Sequence, residues 1–133
     1  LGAPQYNVAI DNARKLSNEL KDSELTFVGH SLGGGLAAAA SMATGKAAIT
    51  FNRASVSDRT KSINNLGTLQ NVTDYQIIGK KVLWGLIRLG GDPLSNLQDN
   101  IGIGAKGRRI LIESHDYLWH HSIDNFVHIK LPN

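Results

Sequence analysis

Apolar residues near the start of the chain recur at steps of three and four, the spacing of one face of an α-helix. Pro4 can open this helix, because the first helical turn does not use the backbone N–H that proline lacks. The apolar stripe consists of Tyr6, Ala9, Ile10, Ala13, Leu16 and Leu20, and polar residues 21–23 end it. The pattern predicts an amphipathic helix over residues 4–20.

Two short apolar segments then flank an alanine-rich one. Residues 25–28 and 47–51 are apolar and β-branched, which is typical of buried strands. Residues 32–44 are rich in alanine, a strong helix former, and Gly45 stands where a helix C-terminal glycine belongs. Strand, helix and strand together have the size of a βαβ unit. We therefore predict an α/β fold with parallel strands in a sheet covered on both faces.

The remaining segments carry weaker patterns. Residues 52–71 are polar and predict a loop with a short helical turn. Further strands are predicted at residues 75–78 and 109–112, and apolar residues 82–89 fit either a strand or a helix. Ser122 is placed to cap a closing helix.

Composition excludes several classes of protein. The chain has 133 residues, 14 basic and 11 acidic side chains, a net charge of +3 and no cysteine. One domain, residues 1–133, is expected at this length. The missing cysteines exclude a disulfide framework, a cysteine zinc site and a cysteine nucleophile. The charge is spread along the chain, so we expect no nucleic-acid partner, and the longest apolar tract is too short for a transmembrane segment.

The residues Gly29, His30, Ser31, Leu32 and Gly33 match the pattern G-x-S-x-G. The pattern lies directly after a predicted strand and directly before a predicted helix, where it forms a nucleophile elbow. Glycines on either side of the serine avoid collisions in such a sharp turn. The turn places Ser31 at a helix N-terminus, and the Leu32 N–H becomes the first oxyanion-hole donor. The alternative is a glycine-rich turn with a surface serine, which the flanking elements disfavour.

Residues 25–37 resemble the nucleophile segment of lipase class 3-like α/β-hydrolases, and residues 48–52 fit the strand that follows it. The resemblance is closest to bacterial lipase and phospholipase effector domains, found at the C-terminal ends of large delivered toxins. It is strong over residues 6–57, thin to residue 91, and returns around Asp92 and His121. It implies an α/β-hydrolase fold, a Ser–Asp–His triad, and cleavage of lipid carboxylic esters without metal or cofactor. It also implies a secreted or delivered bacterial effector.

The triad histidine is expected after the acid in chain order. The resemblance assigns it to His121, which follows the last predicted strand, with His120 and His115 as alternatives. His30 lies inside the motif and is interpreted as a packing residue, and His128 lies too far along the closing helix. A metal site at residues 115–121 lacks the i, i+4 helical spacing, so no metal is predicted.

The triad acid is less well defined by the sequence. Asp92 follows an apolar segment on a loop that Pro93 stiffens, and it is the predicted acid. Three other aspartates compete for the role, namely Asp58, Asp74 and Asp99. The resemblance places an acid soon after the third strand, where this chain has two lysines. An insertion that moves the acid to Asp92 explains the difference.

These residues predict a serine hydrolase mechanism. His121 accepts the Ser31 proton, Asp92 orients the imidazole, and an acyl-enzyme forms. The second oxyanion-hole donor usually comes from a loop after an earlier strand, but residues 1–24 predict only a helix. Since residue 1 is leucine, without a signal-peptide pattern, the chain is interpreted as part of a longer protein that lacks the N-terminal strands here. Such a strand segment, a partner such as an immunity protein, or a second copy would complete the sheet.

Two other functions fit the same residues. One is an acyltransferase or thioesterase that uses the same triad with a different acyl acceptor or donor. The other is a non-catalytic α/β-hydrolase remnant that serves as a binding module for a partner protein.

Overall fold

A computed structural model of the 133-residue chain describes residues 4–79 and 107–114. The described residues form three helices and four strands. In chain order these elements are α1 (Pro4–Glu19), β1 (Thr26–His30), α2 (Leu32–Thr44), β2 (Ala47–Phe51), α3 (Asp58–Ile63), β3 (Val72–Gly79) and β4 (Arg108–Ser114). The segment predicted as strand or helix at residues 82–89 and the closing helix after Ser122 lie outside the described residues.

The four strands form one sheet in the order β1-β2-β3-β4, and every pair of neighbours is parallel. The α/β class is therefore confirmed, as is the predicted βαβ unit of β1, α2 and β2. The strand β1 extends two residues beyond the predicted residues 25–28, so it includes Gly29 and His30. Both residues pair with the last residues of β2.

The helix α2 ends where the sequence predicts. Gly45 has a left-handed φ of 72°, and its N–H donates to the Ser41 carbonyl at 2.8 Å. Glycine adopts this conformation without the steric cost that a side chain brings. The short helix α3 begins after Ser57, whose side chain accepts a hydrogen bond from the Thr60 N–H at 3.1 Å.

The hydrophobic core lies between the helices and one face of the sheet. α1 packs on α2, and α2 packs on β1 and β2. The buried core residues are Tyr6, Ile10, Ala38, Ala39, Met42, Ala48, Val56, Leu69 and Val72. The predicted apolar stripe of α1 is buried at Tyr6, Ile10 and Ala13, while Leu16 and Leu20 are exposed. Small alanine side chains let α2 approach both layers closely.

Within residues 4–79 and 107–114, no helix covers the opposite face of the sheet at β1 and β2. Val28 and Ile49 are paired in the register and are 64% and 36% exposed. Among the described helices, α1 packs on α2 rather than across the sheet, so a cover for this second face stays a prediction. The strand β1 is also an edge of the sheet, since within the described residues it pairs only with β2.

The carboxyl edge of the sheet has a step. β1 and β2 end level with each other at His30 and Phe51, and Phe51 pairs with Tyr75 of β3. β3 continues beside β4 as far as Gly79. These four further residues extend β3 by roughly 13 Å beyond the end of β2.

The strand β3 begins at Val72, three residues earlier than predicted. Its first residues include Asp74, and aspartate is depleted in strands, so the sequence hides this start. Backbone pairing with both β2 and β4 compensates for the poor propensity. Among the described helices, none is both long enough and apolar enough to cross a membrane.

Candidate active site

Ser31 lies at the junction of β1 and α2 in an unusual backbone conformation. Its φ is 54° and its ψ is −120°. Among residues 4–79 and 107–114, the other non-glycine residues with positive φ are Asn52 and Asn65. Asparagine tolerates this region far better than serine does. A residue held in such a conformation stores about 1–3 kcal/mol and persists only where its surroundings enforce it.

Backbone hydrogen bonds enforce the Ser31 conformation from two directions. The Ser31 N–H donates to the Phe51 carbonyl at 3.0 Å, which ties the turn to the end of β2. The Ser31 carbonyl accepts from the Gly35 N–H at 3.1 Å, within α2, and from the Ala54 N–H at 2.9 Å. The turn is therefore held by its own helix and by the chain that follows β2.

The two glycines of the motif have different surroundings. A Cβ at Gly29 would lie 2.7 Å from the Gly34 nitrogen and closer still to the carbonyl of Gly33. A side chain at position 29 would therefore force the turn open. A Cβ at Gly33, in contrast, would meet nothing within 4 Å. The predicted collision is found at Gly29 and is not found at Gly33.

The next two glycines permit close packing of α2. A Cβ at Gly34 would lie 2.8 Å from Arg53 Cβ, and a Cβ at Gly35 would overlap the Tyr6 hydroxyl. Burial raises the pKa of Tyr6, and the nearby Arg53 guanidinium partly opposes this shift. The first turn of α2 is thus enclosed by α1 on one side and by the chain after β2 on the other.

Leu32 is the first residue of α2 and is 47% exposed. Its N–H is among the first four of the helix, which have no acceptor within the helix. The helix dipole places positive potential at the same end. Ser31 is half-buried beside it. This end of α2 can therefore stabilise a negative charge that develops next to the serine hydroxyl.

A buried charge cluster of Arg53, Asp74 and Arg109 lies behind the turn. Asp74 Oδ2 is 3.4 Å from Arg53 Nε and accepts from Arg109 Nη2 at 3.1 Å, and Asp74 Oδ1 accepts from Thr50 Oγ1 at 2.7 Å. The three charged side chains are 4–5% exposed. Burial lowers the pKa of Arg53, and Asp74 counteracts this. This cluster was not predicted from the sequence. The signal available was Asp74, an acidic residue directly before the strand predicted at residues 75–78.

An apolar groove runs along the edge of β1. It has a volume of about 300 Å³ and is bounded by α1, β1 and α2. Its lining includes Gly33, together with Val28, Leu36 and Ala40. The open space beside Gly33 is part of this groove.

The other predicted site residues fall into two groups. Asp92 and His121, with the alternatives Asp99, His115 and His120, lie outside the described residues. Of the competing acids, Asp74 has both carboxylate oxygens engaged in the buried cluster. Asp58 is solvent-exposed and pairs with Lys61 at 3.0 Å. Within residues 4–79 and 107–114, no group of three or more histidine or acidic side chains is arranged to hold a metal ion.

Comparison with known proteins adds two findings. A family model described as phospholipase-like, the Tle-like phospholipase domain, matches residues 1–122. The Extracellular phospholipase A1 of Serratia liquefaciens is 52% identical over 63 residues, which cover 47% of this chain and 19% of that protein. The matched part is thus about one fifth of the length of this relative.

Proposed function

Because the chain belongs to the Tle-like phospholipase domain family, we propose that it carries the nucleophile of a lipid ester hydrolase. Ser31 is the proposed nucleophile. The observation that carries this proposal is the Ser31 backbone, with φ of 54° and ψ of −120° at a strand-to-helix junction. A strained serine in this position presents its hydroxyl above the carboxyl end of the sheet.

In the proposed reaction, Ser31 Oγ attacks the ester carbonyl while His121 takes the hydroxyl proton. The negative charge on the carbonyl oxygen is stabilised by the Leu32 N–H at the start of α2. The intermediate then expels the alcohol, which receives its proton from His121, and an acyl-enzyme remains. Water attacks the acyl-enzyme with His121 as base, and the carboxylic acid is released. Asp92 orients the imidazole throughout.

The second oxyanion donor is proposed to come from the loop that follows an earlier strand. This strand would lie outside the described residues and pair with β1. Three observations support a strand at this edge. The strand β1 pairs only with β2 within the described chain. An apolar groove runs beside it, and Gly33 opens into that groove. An unpaired strand edge beside an apolar groove suits an added strand, which satisfies backbone hydrogen bonds as well as burying side chains.

The Gly33→Ala substitution tests for this strand. In the 133-residue chain it is expected to stabilise slightly, because alanine favours the helix and the added methyl group meets nothing. In the full-length protein the same methyl group would push against the added strand and destabilise. A substitution that is equally well tolerated in both proteins contradicts a strand that only the longer protein adds at this edge.

The proposed substrate is a carboxylic ester of a phospholipid, in keeping with the phospholipase family. The resemblance to bacterial effector domains extends the proposal to an antibacterial toxin, which an immunity protein would bind in the producing cell. Production of the full-length protein in a bacterial host is expected to arrest growth and to release free fatty acid. The Ser31→Ala variant should do neither, and growth arrest without loss of phospholipid would contradict the toxin mechanism.

A fluorophosphonate probe tests the nucleophile directly. The full-length protein is expected to be labelled, and Ser31→Ala is expected not to be. Ser41→Ala is the matched control, because Ser41 is a buried serine of the same helix at its far end. Labelling that survives in Ser31→Ala, or a folded wild-type protein without labelling, overturns the assignment. Analysis of lipid products then separates ester hydrolysis from acyl transfer and from thioester cleavage.

A further inference from the structure

We propose that Arg53 is a positioning residue for Ser31. Its buried guanidinium fixes the post-β2 loop (residues 52–54), and this loop holds the nucleophile turn. The inference rests on the proposed function, because it concerns the presentation of the same serine hydroxyl. Arg53 does not reach the reacting atoms in this role, so it acts through the backbone.

The post-β2 loop contacts the turn through its backbone. The Ala54 N–H donates to the Ser31 carbonyl at 2.9 Å, and the Ser31 N–H donates to Phe51, the residue before the loop, at 3.0 Å. The Ser31 N–H is therefore bonded to the residue just before Asn52, and the Ser31 carbonyl to the residue just after Arg53. A shift of this loop would release the strained φ of Ser31.

Arg53 also packs directly against the first turn of α2. A Cβ at Gly34 would lie 2.8 Å from Arg53 Cβ and 3.0 Å from Arg53 Cα. The main chain of Arg53 thus abuts the helix backbone three residues after Ser31. The direction in which α2 leaves the turn depends on where Arg53 sits.

The side chain of Arg53 anchors the loop to the sheet. Its Nε lies 3.4 Å from Asp74 Oδ2 on β3. The same carboxylate accepts from Thr50 on β2 and Arg109 on β4, and these three positions are aligned in the strand register. One carboxylate therefore ties the loop to three neighbouring strands.

The composition of this cluster argues for a geometric role. Two guanidinium groups share one carboxylate, and the buried atoms Arg53 Nε, Arg109 Nε and Arg109 Nη1 make no hydrogen bond to the described residues. Unmet buried donors are costly, and a buried ion pair adds little stability compared with well-packed apolar side chains. Because Arg53 of this cluster packs against the first turn of α2, the cluster is better explained by the loop conformation that it imposes than by a contribution to stability.

The kinetic test compares Arg53→Met with Ser41→Ala in the full-length protein, using a soluble short-chain ester. Ser41→Ala removes a partly buried 2.6 Å hydrogen bond to the Lys46 carbonyl at the far end of α2, so it destabilises the same helix without touching the turn. Arg53→Met is expected to lower kcat about 10–100-fold while KM changes less than about twofold, since small misplacement of a reacting group has effects of this size. Arg53→Lys, which keeps a cation near Asp74, should recover part of kcat. Equal kcat losses in Arg53→Met and Ser41→Ala, or a change in KM alone, overturn the proposal.

Amide hydrogen exchange gives a second measurement that needs no activity. In Arg53→Lys, the Ser31 and Ala54 amides are expected to exchange faster, while the amides of β3 and β4 keep their wild-type rates. Uniformly faster exchange would mean general destabilisation and would overturn the positioning role. This measurement also separates the two proposals. A wild-type protein that neither hydrolyses esters nor reacts with the fluorophosphonate probe contradicts the proposed function. Unchanged exchange of the Ser31 and Ala54 amides in Arg53→Lys contradicts only the role of Arg53.

Discussion

Replacing Gly29 by alanine places a methyl group where the backbone of the next helix already lies. The added Cβ would be 2.7 Å from the Gly34 nitrogen and closer still to the Gly33 carbonyl. Ordinary van der Waals contact begins at 3.4 Å, so even the distance to the nitrogen is about 0.7 Å too short. All of these neighbours are backbone atoms, so no side chain can rotate away. The turn at Ser31 has to open, or α2 has to move.

The expected cost of Gly29→Ala is at least about 2 kcal/mol, within the range of about 1–3 kcal/mol for overpacking and occasionally above it. Gly33→Ala is the matched control, because it makes the same chemical change in the same motif. Its Cβ meets nothing within 4 Å and it lies in α2, so the 133-residue chain is expected to gain up to about 1 kcal/mol from helix propensity.

Urea denaturation of the 133-residue chain, followed by far-ultraviolet circular dichroism, measures both effects. A difference of about 3 kcal/mol between the two variants corresponds to a separation of at least about 1 M in the urea midpoint, given typical slopes of about 1–3 kcal/mol per molar. Midpoints that coincide, or a Gly33→Ala variant as unstable as Gly29→Ala, would refute the steric reasoning about the turn.

Three further predictions concern the surroundings of α2 and α3. Gly35→Ala should destabilise the protein by about 1–3 kcal/mol because its methyl group meets the Tyr6 hydroxyl, and Tyr6→Phe should recover part of this loss. A double-mutant cycle measures the coupling between the two positions. Purely additive effects would contradict the proposed contact. Because burial raises the pKa of Tyr6, stability should fall as pH rises from the ordinary value of 10.0 through the raised pKa. Urea titrations of wild type and Tyr6→Phe at about pH 8 and about pH 11 should diverge at the higher pH, and parallel behaviour would count against the shift. Ser57→Ala removes the acceptor for the Thr60 N–H and should cost about 1 kcal/mol in thermal unfolding, so an unchanged midpoint would show that the cap is not stabilising.

The elements around the βαβ unit could be predicted because their signals are local. Alanine content, the apolar period of α1 and the glycine at position 45 each depend on a few neighbouring residues. The start of β3 could not be predicted in this way. Asp74 disfavours a strand unless its charge is compensated, and the compensating Arg109 lies 35 residues away. Only tertiary contacts make that strand favourable.

The candidate site shows the same division between local and distant causes. The motif around Ser31 predicts a sharp turn, and the backbone angles found there are those of a strained turn. The hydrogen bond from Ala54 to Ser31 was not predictable, because nothing in residues 52–54 marks them as support for a turn more than 20 residues earlier. The exposure of Val28 was not predictable for a related reason, since the pattern shows that a strand is apolar but not which layer covers it.

The step at the carboxyl edge of the sheet makes the two flanks of Ser31 unequal. On one flank, β3 and β4 rise about 13 Å past the end of β2 and form a wall of backbone that hydrogen bonds make rigid. On the other flank, beyond β1, the described chain has no such wall. The proposed ester substrate would therefore have one half against the extended strands β3 and β4, and the other half beside the edge of β1 and the strand proposed to pair with it. Discrimination between the acyl group and the alcohol group of the ester would follow from this asymmetry. A change in the strand proposed to pair with β1 could then alter the preferred substrate while β3 and β4 stay the same.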